Sequence, residues 1–179
     1  MLRMNSSESP GPASSPHAWC WHDTPVGRLI LVATEAGLTS VALPAQGPRE
    51  PRPPDGSPSP HPAAQSTLAE ARRQLDEYFA GRRRVFSLPL DIQGTPFQRR
   101  VWDVLAHIPY GHTLTYGDVA SQIRQPTAMR AVGAASGQNP LPIVVPCHRV
   151  VGRHGRLGGY GGGLAMKQAL LVLEGSRLV

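Results

Sequence analysis

Residues 17–43 read HAWCWHDTPVGRLILVATEAGLTSVAL, with apolar and polar positions alternating and the alternation breaking at TPVG and EAG. Period-two alternation punctuated by Pro and Gly predicts three short strands joined by tight turns. The stretch that follows, PAQGPREPRPPDGSPSPHP, puts eight prolines into residues 44–62 and has no apolar period. Each proline removes a backbone donor and fixes φ, so a disordered excursion is expected there. From Ala63 to Gly81 the repeat becomes helical, with Leu68, Leu75, Tyr78 and Phe79 on one face and Gly81 as the stop. RVFSLPLDI, residues 84–92, then reads as a strand or an extended linker. Residues 17–92 are thus expected to form a small α/β domain without chemistry of its own, preceded by a disordered tail over residues 1–16.

From Thr95 the texture is that of short helices. TPFQRRVWDVLAHIPYG offers Thr95 as N-cap and Pro96 in the first turn, with Phe97, Val101, Val104, Leu105 and Ile108 on one face. TYGDVASQI predicts a second helix, RQPT a turn and AMRAVGAASGQN a third helix. Helix, short break, helix is the helix-turn-helix pattern. The third helix carries almost no side chain that could read a base edge. After Arg130 it runs Ala131, Val132, Gly133, Ala134, Ala135, Ser136, Gly137. Each glycine weakens a helix by about 1 kcal/mol relative to alanine, so close approach to another surface is implied. That surface is either a neighbouring helix or nucleic acid contacted without regard to sequence, with Arg130 as the one long side chain.

Charge separates these readings further. Residues 1–92 hold nine arginines against nine acids, whereas residues 93–179 hold eight arginines and Lys167 against Asp103, Asp118 and Glu174. The net +6 therefore lies wholly in the second half, which points to a polyanionic partner there, most simply nucleic acid. A hydrophobic fraction of 40% is that of a soluble globular chain. No apolar run approaches the ~20 residues of a membrane span, and the N-terminus has no apolar signal region. Two cysteines, Cys20 and Cys147, argue against a disulfide framework.

The chemistry concentrates in NPLPIVVPCHRVVG, Asn139 to Gly152. The segment is strand-like until Pro146, where a ladder must break or lie at an edge. Cys147 then sits on irregular backbone beside His148. A cysteine in such a run is often packing material. Three features favour a nucleophile: the adjacent imidazole, the Arg149 charge that would favour thiolate, and the glycine-rich loop GRLGGYGGG with Tyr160 inside it. A free thiol has a pKa of about 8.5, so help is needed at neutral pH. Glu174, in the last helix GLAMKQALLVLEG, is the only acid downstream to orient His148. Cys-His-Glu is a thiol version of the nucleophile, base and orienter arrangement.

NPLPIVVPCHRVVG followed by LGGYGGGLAMKQALLVLEG closely resembles the active-site signature of the 6-O-alkylguanine-DNA alkyltransferases, self-sacrificing DNA repair proteins. The likeness runs from about Thr95 to the C-terminus, and the N-terminal half matches only in layout. It implies an α+β fold, with a small ribonuclease-H-like domain ahead of a helical domain, residues 93–179, that carries the helix-turn-helix. Cys147 would be the alkyl acceptor, His148 a base acting through water, Glu174 its orienter and Asn139 a brace for the loops. Tyr116 would contact the flipped nucleotide and Arg130 would fill the vacated stack. Tyr160 would wall the guanine pocket, and backbone groups of Cys147, Val150 and Gly161 would pair with the base edges. Ser136, against the base, and Gly161 replace larger side chains of relatives, which implies a roomier pocket.

The resemblance also implies a monomer that binds double-stranded DNA through the minor groove without sequence preference. No cofactor is expected, because the alkyl group of 6-O-alkylguanine, or of 4-O-alkylthymine, would pass directly to sulfur. A cytoplasmic location is expected, nucleoid-associated in a bacterium. Some relatives hold zinc in the first domain; His17, Cys20 and His22 lie close in sequence but lack a fourth ligand, so no metal is expected. The rival readings are a non-catalytic lesion-binding protein, a helix-turn-helix regulator and a thiol hydrolase. Cys147 argues against the first, the small-residue third helix against the second. Turnover on an ester or amide would mark the third.

Overall fold

Strands Ala18–Thr24 (β1), Gly27–Thr34 (β2) and Gly37–Ala42 (β3) form an antiparallel meander in the order β1-β2-β3, as the alternation predicts. The computed structural model describes residues 17–44, 52–55, 58 and 60–176, so the expected tail and most of the proline-rich excursion lie outside the described residues. β2 is buried from Leu29 to Ala33, which is why it reads as a near-continuous apolar run. Helix α1, Pro62–Phe79, packs across all three strands. It starts on the last proline of the excursion, whose missing N–H costs nothing at a helix start. Its buried stripe is Ala64, Leu68, Ala71, Leu75 and Tyr78.

Residues 82–92 resolve as an extended linker. They touch the sheet at one parallel bridge, Leu38 to Leu90, with Leu38 N–H donating to Pro89 O at 2.9 Å and Asp91 N–H to Leu38 O at 3.0 Å. Gln74, fully buried on α1, acts as a substitute strand. Its amide donates to Ser87 O at 3.0 Å and accepts from Ser87 N–H at 2.8 Å.

The second domain is helical. Helix α2, Pro96–Ala106, opens on a capping box in which Thr95 and Gln98 satisfy each other's backbone donors. Its buried face includes Val101, Leu105 and also Trp102, whose Nε1 donates to Ala135 O at 2.8 Å. Thr115 and Asp118 build a second capping box at the start of α3, Tyr116–Gln122. Helix α4, Met129–Gly137, packs against both α2 and α3, giving the expected helix-turn-helix. Two-residue strands Leu114–Thr115 (β4) and Val150–Val151 (β5) pair in parallel, and Gly163–Leu173 (α5) closes the chain. The architecture is therefore α+β, a sheet-and-helix unit followed by a helical one. Among the described residues no helix is long and apolar enough to cross a membrane.

The linker's seat on the sheet depends on Gly37, at φ +153° with an added Cβ only 2.6 Å from Pro89 O. Gly37→Ala should destabilise the fold by on the order of 2 kcal/mol, from backbone strain plus displacement of the linker. Urea denaturation followed by circular dichroism measures it.

Candidate active site

The apolar run before Pro146 is not a strand. Leu141 to Val145 make a compact buried turn closed by Val145 N–H donating to Leu141 O at 2.8 Å. Ile143 sits at φ +75°, a conformation a β-branched residue adopts only when its surroundings force it. Asn139 spans the turn: its amide donates to Val145 O at 2.7 Å and accepts from Leu141 N–H at 3.0 Å. Pro146, with no N–H to give, leads into one 3-10 turn, Cys147–Arg149, and then β5. The turn removes the period-two geometry that would have pointed Cys147 and His148 to opposite faces.

Glu174 caps the C-terminal end of α5, just beyond the helix, and gathers the site around it. Its Oε1 lies 3.0 Å from His148 Nε2 and accepts from Tyr78 Oη at 2.7 Å and Arg149 Nη2 at 2.8 Å. Its Oε2 accepts from Arg149 Nε at 2.9 Å and Gly111 N–H at 3.3 Å. Burial alone would raise the Glu174 pKa, but the hydrogen bonds from His148 and Arg149 and the neighbouring charge hold it at about 2. An ionised carboxylate only accepts, so His148 Nε2 must carry the hydrogen and Nδ1 must be the lone-pair nitrogen. Burial lowers the His148 pKa against the opposing pull of Glu174, which keeps the ring neutral. Nδ1 is buried and has no hydrogen-bond partner among the described residues.

Cys147 is buried, and burial raises its pKa. A hydrogen bond from Asn139, the Lys167 charge and the backbone N–H groups of Cys147 and His148 work in the opposite direction. The cation that acts on the thiol is thus Lys167. The expectation for Arg149 is corrected, since its guanidinium turns to Glu174 and Ile108 O. Lys167, the chain's sole lysine, is fully buried and donates to Val150 O at 2.6 Å and Gly158 O at 3.3 Å. It clamps the glycine-rich loop to β5. Its signal was present in the sequence: a lone charge on the stripe Gly163, Met166, Leu170, Leu171.

Tyr160 stands edge-on to the His148 ring, centroids 6.4 Å apart, with its hydroxyl buried and unpartnered among the described residues. Tyr116, the first residue of α3, is half-buried, which raises its phenol pKa, and it is wedged between α4 and the glycine-rich loop. A Cβ at Gly133 would lie 3.7 Å from its ring, and one at Gly158 only 2.8 Å from its hydroxyl. The small residues of α4 are thereby explained in part by packing, while Gly137 faces open space. An open groove of about 530 Å³ runs past Tyr116, lined by Thr115, Gly117, Met129, Arg130, Gly133 and Arg153. Arg130 is exposed on it, and Arg153 is a second arginine that sequence reading passed over.

Ser136 is only 7% exposed, with its hydroxyl buried and, among the described residues, unpartnered. The Val150 carbonyl is already engaged by Lys167, which leaves one lone pair for a base edge. Gly161 is exposed and has room for a side chain, its Cβ position 4.0 Å from Leu43. In the first domain, His22 Nε2 lies 3.1 Å from Asp76 on α1, and Cys20 is half-buried with its pKa raised by burial. Among the described residues no three His, Cys, Asp or Glu side chains converge as a metal-binding group.

The depressed Glu174 pKa is a statement about stability. A carboxyl whose folded value lies below its ordinary 4.5 adds stability above that pH and loses it as the pH falls toward about 2. Glu174→Gln should therefore cost on the order of 3 kcal/mol at neutral pH. The gap to the unaltered protein should narrow below pH 4.5, as urea midpoints measured across the acid range would show.

Comparison with known proteins places this geometry. Residues 19–92 match the family described as 6-O-methylguanine DNA methyltransferase, ribonuclease-like domain, and residues 96–176 its DNA binding domain. The chain is 47% identical over 155 residues to the methylated-DNA–protein-cysteine methyltransferase of Mycobacterium tuberculosis, covering 87% of this chain and 90% of that one. It is 43% identical over 150 residues to the constitutive enzyme of that name from Bacillus subtilis, covering 84% and 90%. The crystal structure of the M. tuberculosis O6-methylguanine methyltransferase superposes with a TM-score of 0.78 at 45% identity, over 90% of this chain and 94% of that one. The M. tuberculosis protein in complex with DNA superposes at 0.75, with 45% identity, over 88% and 92%. Both halves of the chain, and the site between them, belong to the 6-O-methylguanine-DNA methyltransferase family.

Proposed function

We propose that this protein repairs DNA by moving the alkyl group of 6-O-alkylguanine irreversibly onto Cys147. The observation that carries the reading is the buried Cys147 thiol beside a neutral His148 whose Nδ1 is left as an acceptor by the Nε2–Glu174 bond. In the proposed reaction a water relays the thiol proton to Nδ1. Sulfur then attacks the alkyl carbon in line, the electrons of the broken carbon–oxygen bond stay with guanine, and the departing base takes a ring proton from solvent water, to which the imidazolium returns the thiol's proton. Asn139 steadies the thiolate and Glu174 the imidazolium as they form.

The groove along α3 and α4 gives the substrate its approach. A relative bound to DNA and the charge of the second half support double-stranded DNA as partner, gripped through the minor groove by one protein molecule. A repair protein must patrol every sequence, so phosphate and shape contacts suffice. Arg130 fills the stack that the extruded base leaves, Tyr116 meets the flipped nucleotide, and Tyr160 walls the base. Backbone groups of Val150 and Gly161 read its edges, with Ser136 as a small floor. The proposed chemistry draws on no cofactor, because the alkyl group passes directly from oxygen to sulfur.

Extruding a base costs a few kcal/mol, which an intercalated arginine offsets. Arg130→Ala should slow repair of methylated duplex by on the order of tenfold, a loss of about 1.4 kcal/mol. Reaction with free 6-O-benzylguanine should be nearly unchanged; equal losses on both substrates would remove Arg130 from the extrusion step.

The product distinguishes transferase from hydrolase. A thioester intermediate is open to water at its carbonyl, whereas a thioether has saturated carbon and a poor leaving group. Mass spectrometry after exposure to methylated DNA should find one methyl on the Cys147 peptide, none on Cys20, and protein consumed in step with lesions repaired. Repeated turnover, or methyl on Cys20 alone, would overturn the proposal.

A further inference from the structure

The first domain reaches into the second through one buried hydroxyl. Tyr78, in the last turn of α1, is fully buried, and its hydroxyl reaches across the domain boundary to Glu174 Oε1 at 2.7 Å, 96 positions along the chain. Its ring is locked by Phe79, Phe86 and Tyr110, with centroids 5.2, 5.5 and 6.1 Å away. Burial, reinforced by the Glu174 charge, keeps the phenol protonated, so it is a standing donor. The atom it holds is the same oxygen that holds His148 Nε2.

We infer that Tyr78 is a positioning residue of the alkyl-transfer site, sharing Glu174 Oε1 with His148 and so setting how firmly the carboxylate holds the imidazole. The inference rests on the proposed roles of Cys147 and His148. It assigns the first domain a direct part in the chemistry of the second.

One acceptor is divided among three donors. Tyr78 Oη, His148 Nε2 and Arg149 Nη2 all draw on Oε1. Removing the phenol leaves more of the carboxylate's charge for His148, which favours the imidazolium over the neutral base. Arg149 Nε and Gly111 N–H still anchor Oε2, so Glu174 stays in place. The other groups that bear on this pair are Lys167 and Arg149, which oppose an imidazolium, and the Cys147 thiol and the Tyr110 and Tyr160 phenols nearby.

The test is the single-turnover rate of benzyl transfer from free 6-O-benzylguanine to the full chain as a function of pH, which takes DNA binding out of the measurement. Tyr78→Phe keeps the ring and removes the donor. The acid limb of the profile should move up by roughly half a pH unit. Tyr78→Leu should melt at lower temperature than Tyr78→Phe yet shift the limb equally, because both lack the hydroxyl. Tyr110→Phe, which loses a hydroxyl bond to Leu173 O at the same helix end, should leave the limb in place. An unmoved limb in Tyr78→Phe, or a shift that follows melting temperature across the three variants, would overturn the inference. A wild-type chain that takes no benzyl group at all defeats the functional reading instead. The positioning role is then decided by the same limb in iodoacetamide labelling of Cys147, read peptide by peptide.

Discussion

A carboxylate taken out of water must be met on both oxygens, and Glu174 is met by five donors. Those donors come from α1, from the turn after α2, and from the 3-10 turn that holds the thiol. One buried charge therefore ties the sheet domain to the helical domain and fixes the turn that carries Cys147 against the end of α5. Arg149 supplies the compensating charge, its guanidinium carbon 5.8 Å from the Tyr110 ring centroid and that of Arg84 5.5 Å from the same ring. With that pair neutral overall, His148 has no need to be protonated. Breaking such a pair by removing one partner strands the other, so the arrangement is held as a whole.

The same burial that makes Glu174 costly shapes the reactivity of Cys147. A thiol whose pKa is raised is quiet toward passing electrophiles, and Cys20 is raised by burial as well. The difference is what stands beside each. Cys147 has Asn139, Lys167 and two backbone N–H groups ready to favour its anion, and a neutral imidazole in the next residue. Cys20 has Arg72 alone among its opposing influences. Activation at Cys147 is thus conditional on proton removal rather than standing, which suits the single-use acceptor proposed for it.

Much of this was legible in sequence because it follows from periodicity and punctuation. Alternation marked the meander, Thr95 and Pro96 the start of α2, and Pro146 the break that frees Cys147 from strand geometry. The cluster of Cys147, His148 and the lone downstream acid points to Glu174 from the sequence alone. What periodicity lacks is the direction of a side chain once it is buried. Sequence makes Arg149 a neighbour of the thiol, but a 3-10 turn sends it the other way, to Glu174. Periodicity gives Tyr78 one apolar position on α1, although a tyrosine on a buried stripe has a hydroxyl that must find a partner. Ser136 lies on a helix face that only packing distinguishes from its neighbours, whereas Lys167 stands out in the sequence as a lone charge on an apolar stripe.

The account stands on the protonation of one ring. If Glu174 accepts from Nε2 and burial keeps His148 neutral, the acceptor for the thiol proton is Nδ1. Nitrogen-15 NMR of the protein labelled at histidine separates the two ring nitrogens directly. The resting protein at neutral pH should show a His148 with Nε2 protonated and Nδ1 bare. A His148 protonated on Nδ1, or an imidazolium with both nitrogens protonated, would contradict the arrangement from which the chemistry is derived.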